Sequence, residues 1–389
     1  MKKILLINSL YREYGGENAN IFEDIEFLKK GYTVDYLEYD NKKANILDIL
    51  SLFSSSNLAS NQIFKKRLLI ANPDYVYFQN LWFKANTGLL DIAGKLNYNI
   101  VLKIHNFRFE CGYYFSSNKH INKNEICPKC GFENKKYTIF NKYFSESYLK
   151  SFFVILHNRK LIKKIKKYNV KVILLNKIQY DNLVSKGVEK EKIKVLKNPI
   201  REKSANLYNP NSNYVVYAGR ISNSKGVEEL LKTWDSLGFN DINLKIIGDG
   251  EIKNILQENY KSENVEFLGV LDNLESAEYI KNAKAVITTT KMYEGQSKLI
   301  TEAFSYGVPA IFPNYGSMKS LIPSDYKLTF NQFDYIDLSK KIIMLTDSKL
   351  LIQQSDMVFK YIIEYFDSDK IFNKFENFIK EKILGWNFQ

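Results

Sequence analysis

The sequence predicts an α/β protein built from two Rossmann-like, doubly wound domains facing across a cleft. Three observations carry that expectation. The chain has 389 residues, more than one ordinary core accommodates, so two domains of similar size are expected. Short apolar and β-branched runs alternate with stretches of helical period in both halves, the pattern of strand–helix–strand units over parallel sheets. Between the halves lies the polar segment 201–213, with Pro210 and several Asn, which reads as a linker. The expected layout is a first domain over 1–200, the linker 201–213, a second domain over 214–365 and a terminal helix over 366–389.

In the first half, Lys3-Ile4-Leu5-Leu6-Ile7-Asn8 reads as a buried strand whose exit carries Gly15-Gly16-Glu17, followed by a helix through Ile21, Ile25 and Leu28. The full Gly-x-Gly-x-x-Gly dinucleotide fingerprint is absent, which ranks a nicotinamide-dependent enzyme last. Gly31 to Leu37, Pro73 to Phe78 and Asn99 to Ile104 read as further strands, with a helical stretch from Ile46 to Leu69 and a Ser-rich patch at Ser54-Ser55-Ser56. His105, one of only three histidines, directly follows a strand, and the carboxyl end of a strand is where an open α/β sheet presents its ligands. A lone His is also a common satisfied structural residue. Lys171 to Asn176 and Lys192 to Leu196 complete the strands of this half.

Cys111, Cys127 and Cys130 include one Cys-x-x-Cys. With His120 they could supply four tetrahedral zinc ligands, although the spacing matches no common zinc motif. The other reading is buried thiols stapling a long loop. Three cysteines without an even pairing pattern point to a reducing, cytoplasmic compartment. No apolar run approaches a membrane span, and the sequence from Met1 runs into a strand rather than a signal peptide. The net charge is +13, which nucleic acid, an anionic membrane face or anionic small molecules would each suit. No nucleic-acid module is recognisable. The stretch from Tyr143 to Tyr168 combines helical-period apolar residues with Arg159, Lys160, Lys163, Lys164, Lys166 and Lys167. It reads either as a helix lying on an anionic membrane surface or as a core helix with a solvated basic face.

In the second half, Tyr214 to Ala218 is a strand followed by Gly219-Arg220 and then Lys225-Gly226 opening a helix. Leu244 to Ile247 is a strand ending in Gly248-Asp249-Gly250. Ala285 to Thr290 is a strand, and Leu299, Ile300, Ala303 and Phe304 mark a helix stopped by Gly307 and Pro309. Val265 to Gly269 and Lys327 to Phe330 read as further strands. Between the strand at 285–290 and the helix at 299–304 runs Glu294-Gly295-Gln296-Ser297-Lys298, and Glu302 lies within that helix. Three strand ends thus converge with two cations, a Gly-rich turn and two carboxylates. A helix amino terminus there suits phosphate. Asp367-Ser368-Asp369 falls between two helical runs, so it reads as helix-capping rather than as a metal-binding Asp-x-Asp.

These residues together resemble the donor half of GT-B glycosyltransferases, specifically glycosyltransferase family 4. That family is marked by a Glu, seven residues and a second Glu, behind a Gly-Arg turn and a Lys-Gly step. The run from His105 to Cys130 resembles a subset carrying a His-Asn-aromatic-Arg segment, one cysteine and a later Cys-x-x-Cys. The resemblance implies an acceptor-side first domain, a donor-binding second domain and a last helix crossing back onto the first. It implies transfer of a hexose from a nucleotide diphosphate sugar to an acceptor hydroxyl with retention of configuration, in bacterial capsule, O-antigen or exopolysaccharide assembly. Glycan or lipid-linked glycan is the implied acceptor, at the inner face of the plasma membrane. Arg220 and Lys225 are expected to neutralise the departing diphosphate. Glu294 is expected to hold sugar hydroxyls, Glu302 the ribose and His105 the transferred sugar. Gly16, Gly219, Gly248, Gly250 and the turn Gln296, Ser297, Lys298 and Leu299 would line the donor, with no cofactor and no metal at the reaction centre. The chain departs from the family where Gln296 and Ser297 replace an aromatic and a second Gly, which bears on donor identity. The alternative from another class is a catalytically inactive nucleotide-sugar-binding or partner subunit. Turnover of a nucleotide sugar by the purified protein separates the two.

Overall fold

The computed structural model describes residues 1–10, 16–41, 48, 51, 54, 56–106, 148–200, 208–291 and 294–381. Gly15, Ser55, Cys111, His120, Cys127, Cys130 and the linker residues 201–207 lie outside the described residues. The chain divides into two compact units. The first runs from Met1 to Asn198, but for 115–118, and takes in the chain from Ser368 on; the second spans Pro199 to Asp367.

In the first unit the elements run β1 (Lys2–Leu10), α1 (Gly16–Lys29), β2 (Tyr32–Asp40), α2 (Leu58–Ala71), β3 (Tyr75–Gln79), α3 (Gly88–Lys95), β4 (Asn99–Ile104), α4 (Tyr148–Lys167), β5 (Val170–Leu174), α5 (Lys177–Ser185) and β6 (Ile193–Val195). The six strands form one parallel sheet in the order β2-β1-β3-β4-β5-β6. A parallel sheet is covered on both faces, so its strands are apolar throughout rather than alternating. Ile4, Leu5, Leu6 and Ile7 of β1 are accordingly all fully buried. One face packs against α2, α3, α4 and α5 through Phe64, Leu89, Leu161 and Leu183. The other packs against α1 through Ile21 and Leu28.

The second unit runs β7 (Tyr214–Ala218), α6 (Val227–Leu237), β8 (Asn243–Ile247), α7 (Lys253–Asn259), β9 (Val265–Gly269), α8 (Asn273–Lys281), β10 (Ala285–Ile287), α9 (Lys298–Ser305), β11 (Ala310–Pro313), β12 (Thr329–Phe330), α10 (Tyr335–Ile343) and α11 (Ser348–Tyr365). Its sheet is also all parallel, ordered β12-β11-β10-β7-β8-β9. Asp272 caps α8 in a capping box with Glu275. This satisfies two backbone donors that a helix start leaves over.

The last helix, α12 (Ser368–Lys380), packs with the first unit. Phe372, Phe375 and Phe378 join the core of that unit beside Tyr32 and Tyr77, and Phe372 meets Phe27 edge to face with ring centroids 5.4 Å apart. Lys171 of β5 donates its Nζ to the backbone oxygens of Phe378 and Glu381, placing a cation at the negative end of the helix.

Several boundaries differ from the sequence reading. The strand ends at Ile287, with Thr288 still donating its N–H to the Ile311 oxygen at 2.9 Å, while Thr289 and Thr290, although β-branched, bond through their side chains to Gly226 and Glu294 of the neighbouring loops. The expected strand at 327–330 shortens to Thr329–Phe330, and the terminal helix begins at Ser368.

Candidate functional site

In each sheet the order of strands reverses once, between β1 and β3 in the first and between β7 and β10 in the second. The connections leave in opposite directions there, which opens a crevice at the strand carboxyl ends where ligands bind. The expected donor residues gather at the second of these points.

Beyond β7, the backbone continues pairing with the loop after β8. Gly219 donates to the Ile247 oxygen at 2.9 Å and Ile221 to the Asp249 oxygen at 2.9 Å. This pairing is close enough to require glycine. A Cβ on Gly248, at φ +136, would stand 2.0 Å from the Gly219 oxygen, and one on Gly250 would stand 2.1 Å from the Ile221 oxygen. Both glycines are thus explained by packing of the two loops. The chain then turns at Ser222 and Lys225 into Gly226, whose φ of +71 opens α6. A Cβ on Gly226 would stand 2.2 Å from the Thr289 oxygen, and Thr289 Oγ1 donates to the Gly226 oxygen at 2.7 Å. The exits of β7 and β10 are locked together at that contact.

Lys225 and Glu294 meet across this junction, Nζ to Oε1 at 2.6 Å, with side chains 25% and 19% exposed. Thr290 Oγ1 donates to the same carboxylate oxygen at 3.3 Å, and Ser317 Oγ donates to the Glu294 backbone oxygen. Tyr217 lies buried beneath, donating its hydroxyl to the Arg220 oxygen at 2.7 Å. Burial first, and then the Glu294 charge, push the Tyr217 phenol well above its ordinary range, while the Arg220 charge pulls it back. Arg220 itself is exposed. The chain after Glu294 reaches Ser297, the N-cap of α9, whose side chain makes no capping bond. The positive end of this helix therefore follows directly on the ion pair. Gln296, Lys298 and Leu299 are half-buried around that helix start, and Glu302 is half-buried one turn further on. Gly307, at φ +74, terminates the helix, with Val308 donating back to the Ala303 oxygen at 2.9 Å.

Of the expected residues in the first unit, Gly16 is the first residue of α1. His105 follows β4 with a side chain 10% exposed, its Nε2 3.9 Å from Asp24 Oδ2. Asp24, from α1, forms a buried pair with Lys103 of β4 at 2.6 Å and accepts from Gln79 Nε2 at the end of β3. Sequence reading had not singled out Asp24, Lys103, Thr290 or Ser317. Asp24 had a signal: it shares the apolar stripe of its helix with Ile21 and Leu28, where an acid needs a partner. Among the described residues no group of His, Cys, Asp and Glu is placed to hold a metal ion, and no helix is long and apolar enough to cross a membrane.

Residues 200–360 match the family model described as Glycosyl transferases group 1. The amylovoran biosynthesis glycosyltransferase AmsD of Erwinia amylovora is 34% identical over 101 residues, 25% of this chain and 28% of that protein. The capsular polysaccharide biosynthesis glycosyltransferase CapM of Staphylococcus aureus is 26% identical over 175 residues, 43% of this chain and 45% of that protein. The chain thus spans less than half the length of the curated relatives it matches. Among solved structures, Anabaena Alr3699/HepE in complex with UDP and glucose superposes with a TM-score of 0.66 at 12% identity, over 97% of this chain and 99% of that one. Residues 200–360 therefore carry a glycosyl transferases group 1 domain, in a chain whose two parallel-sheet α/β units have the fold of GT-B glycosyltransferases.

Proposed function

We propose that this protein is a retaining, metal-independent glycosyltransferase of family 4. It would move a hexose from a nucleotide diphosphate sugar to a hydroxyl of a glycan or lipid-linked glycan in bacterial surface polysaccharide assembly. The observation that carries the reading is the Lys225–Glu294 pair at the strand-order reversal of the second sheet. A cation and an acid held there, part exposed, match the two ends of a diphosphate sugar. The match to the glycosyl transferases group 1 model and the polysaccharide-assembly names of both relatives support the same reading.

In the proposed reaction the bond between the anomeric carbon and the phosphate oxygen breaks, and its electron pair leaves on the diphosphate. The acceptor oxygen forms the new bond to that carbon, and the acceptor proton ends on the diphosphate. Charge therefore develops on the leaving group. Lys225 supplies a point charge and Arg220 a bidentate fork against it, aided by the start of α9. Glu294, released from Lys225, accepts from sugar hydroxyls, and Glu302 accepts from the ribose. His105 serves the transferred sugar, and Gly16 the donor phosphates.

The test is release of nucleoside diphosphate by purified protein from a panel of UDP- and GDP-sugars, with and without EDTA. Turnover of one donor, unchanged by EDTA, is the expected result. Donor binding seen as a thermal shift without turnover of any donor would replace the enzyme with a binding subunit.

A further inference from the structure

We propose that the Glu229–Lys291 ion pair keeps Glu294 on the sugar of the donor once Lys225 has turned to the diphosphate. The pair thereby governs which sugar is accepted, without touching the donor. The inference deepens the transferase reading and rests on it.

Two segments of chain meet at the strand-order reversal of the second sheet. One ends the turn after β7 and enters α6, and it carries Lys225 and Glu229. The other joins β10 to α9 and carries Lys291 and Glu294. Each segment holds a cation and an acid, and these pair crosswise. Lys225 Nζ lies 2.6 Å from Glu294 Oε1, and Lys291 Nζ donates to Glu229 Oε1. The two rungs have opposite polarity. A loop slipped by one rung would set Lys291 against Lys225, or Glu294 against Glu229. Like charges in contact are unfavourable, so the two rungs together specify one register of the loop on α6.

The backbone is fastened at the same place. The Lys291 N–H donates to the Ser224 oxygen at 3.0 Å, and Gln332 Nε2 donates to the Thr290 oxygen at 3.3 Å. Thr289 and Ser317 hold the stretch as well. These bonds are neutral and do not discriminate one arrangement of charges from another.

A donor would treat the rungs differently. In the proposed reaction the diphosphate competes for Lys225, and Glu294 is set free. No anion of that reaction replaces Glu229, which is held on the first turn of α6. Glu229 Oε1 accepts from Lys291, while its Oε2 is sealed from water and has no hydrogen-bond partner among the described residues. An acid so placed retains its cation, because parting leaves a partly desolvated charge unpaired. Tyr335 of α10, a helix packed on α6, feels the same charge: burial first, and then Glu229, raise its phenol above the ordinary range.

Glu294 stands three residues beyond Lys291. With the second rung closed, the released carboxylate moves by side-chain rotation from a fixed backbone. With it open, the backbone moves too, and a misplacement of about 1 Å in a positioning group costs up to about a hundredfold in rate. Acceptors of sugar hydroxyls distinguish epimers only when they are held in place, so selectivity is the property most exposed to this loss. Glu229 and Lys291 are positioning residues in this account.

The test reads selectivity on the full chain as the ratio of kcat/KM between epimeric donors, UDP-glucose against UDP-galactose and GDP-mannose against GDP-glucose. Affinity for UDP and GDP is read by calorimetry. The parent is expected to favour one member of a pair. Lys291→Met and Glu229→Gln are each expected to lower that ratio and kcat by about fivefold or more, with nucleoside diphosphate affinity within about twofold of the parent. Lys291→Arg is expected to keep most of the selectivity. Glu229→Gln/Lys291→Met leaves no unpaired charge, so it is expected to melt near the parent temperature and yet remain unselective. Lys232→Met, which removes an exposed pair with Glu228 from the same helix, is expected to behave as the parent does. Unchanged selectivity in both single variants overturns the inference, and so does its recovery in the double variant. A fall in UDP or GDP affinity that matches the fall in turnover would make Lys291 a phosphate ligand and overturn it too. Turnover of no donor by the parent would instead overturn the transferase reading, and the inference would fall with it.

Discussion

Beside the reversal point of the second sheet, Lys225 and Glu294 sit 2.6 Å apart and are 25% and 19% exposed. Beside that of the first, Lys103 and Asp24 sit equally close, yet are 6% and 7% exposed. The two pairs share topology, chemistry and distance, and differ in access to water. Charges sealed from solvent depend on protein partners, so the buried pair, with Gln79 also donating to Asp24, fixes α1 on the sheet. It gains little net stability over an apolar contact, while losing one partner is costly. The open pair can be exchanged, because an entering ligand or water replaces either partner at small cost. Access to water, more than the presence of an ion pair, separates the sealed pair from the one proposed to meet a ligand.

The sharpest way to break the comparison is to remove one acid from each pair. Asp24→Ala is expected to lower unfolding free energy by about 3–5 kcal/mol, because Lys103 is left buried and uncompensated. Urea denaturation measures it, and Asp24→Asn/Lys103→Met should recover much of the loss. A cost under about 1 kcal/mol would place this pair with exposed ones.

At the open pair the effect should fall on rate. Lys225→Ala is expected to slow turnover of the nucleotide sugar about a hundredfold or more, and Arg220→Ala likewise. Stability of either variant should move by less than about 1 kcal/mol. Near-parental turnover in both would remove the proposed charge stabilisation.

Gly226→Ala probes the contact that holds the open pair in place. The added Cβ would stand 2.2 Å from the Thr289 oxygen at a φ of +71, so a loss of about 1–3 kcal/mol is expected in a thermal melt. Donor affinity should fall with it.

A pH effect is expected at the half-buried Lys197. Burial lowers the Lys197 ammonium from 10.5 to about 8. Below that value both folded and unfolded chains hold the proton, and the folded state bears the cost of desolvation. Between the two values the unfolded chain binds the extra proton, so stability rises with pH across that window and levels off above it. Lys197→Met should flatten that rise when unfolding is followed from pH 7 to 10.5.

Much of the second unit was legible because its information is local. Gly219-Arg220, Lys225-Gly226 and Glu294 each lie just beyond an apolar run, and a strand's carboxyl end is a place that periodicity alone can locate. The Asp24–Lys103 pair was not legible, because its partners are 79 residues apart and only the folded sheet brings them together. Thr289 and Thr290 read as strand for the opposite reason: local β-propensity favoured it, and bonds to Gly226 and Glu294 prevailed. Gly248 and Gly250 were expected at the donor, and their close packing against the β7 loop supplies a reason for glycine that does not involve a ligand.

The placement of α12 makes the second unit an insertion within the first. The chain leaves the first unit after Asn198 and returns at Ser368, and the outgoing and returning strands of chain touch where Ile200 donates to the Phe366 oxygen at 3.3 Å. A gene fragment stopping at Asp367 would encode every residue of the second unit yet strip Phe372, Phe375 and Phe378 from the interior of the first. Damage at the carboxyl terminus would therefore be felt by the half of the protein that is synthesised earliest.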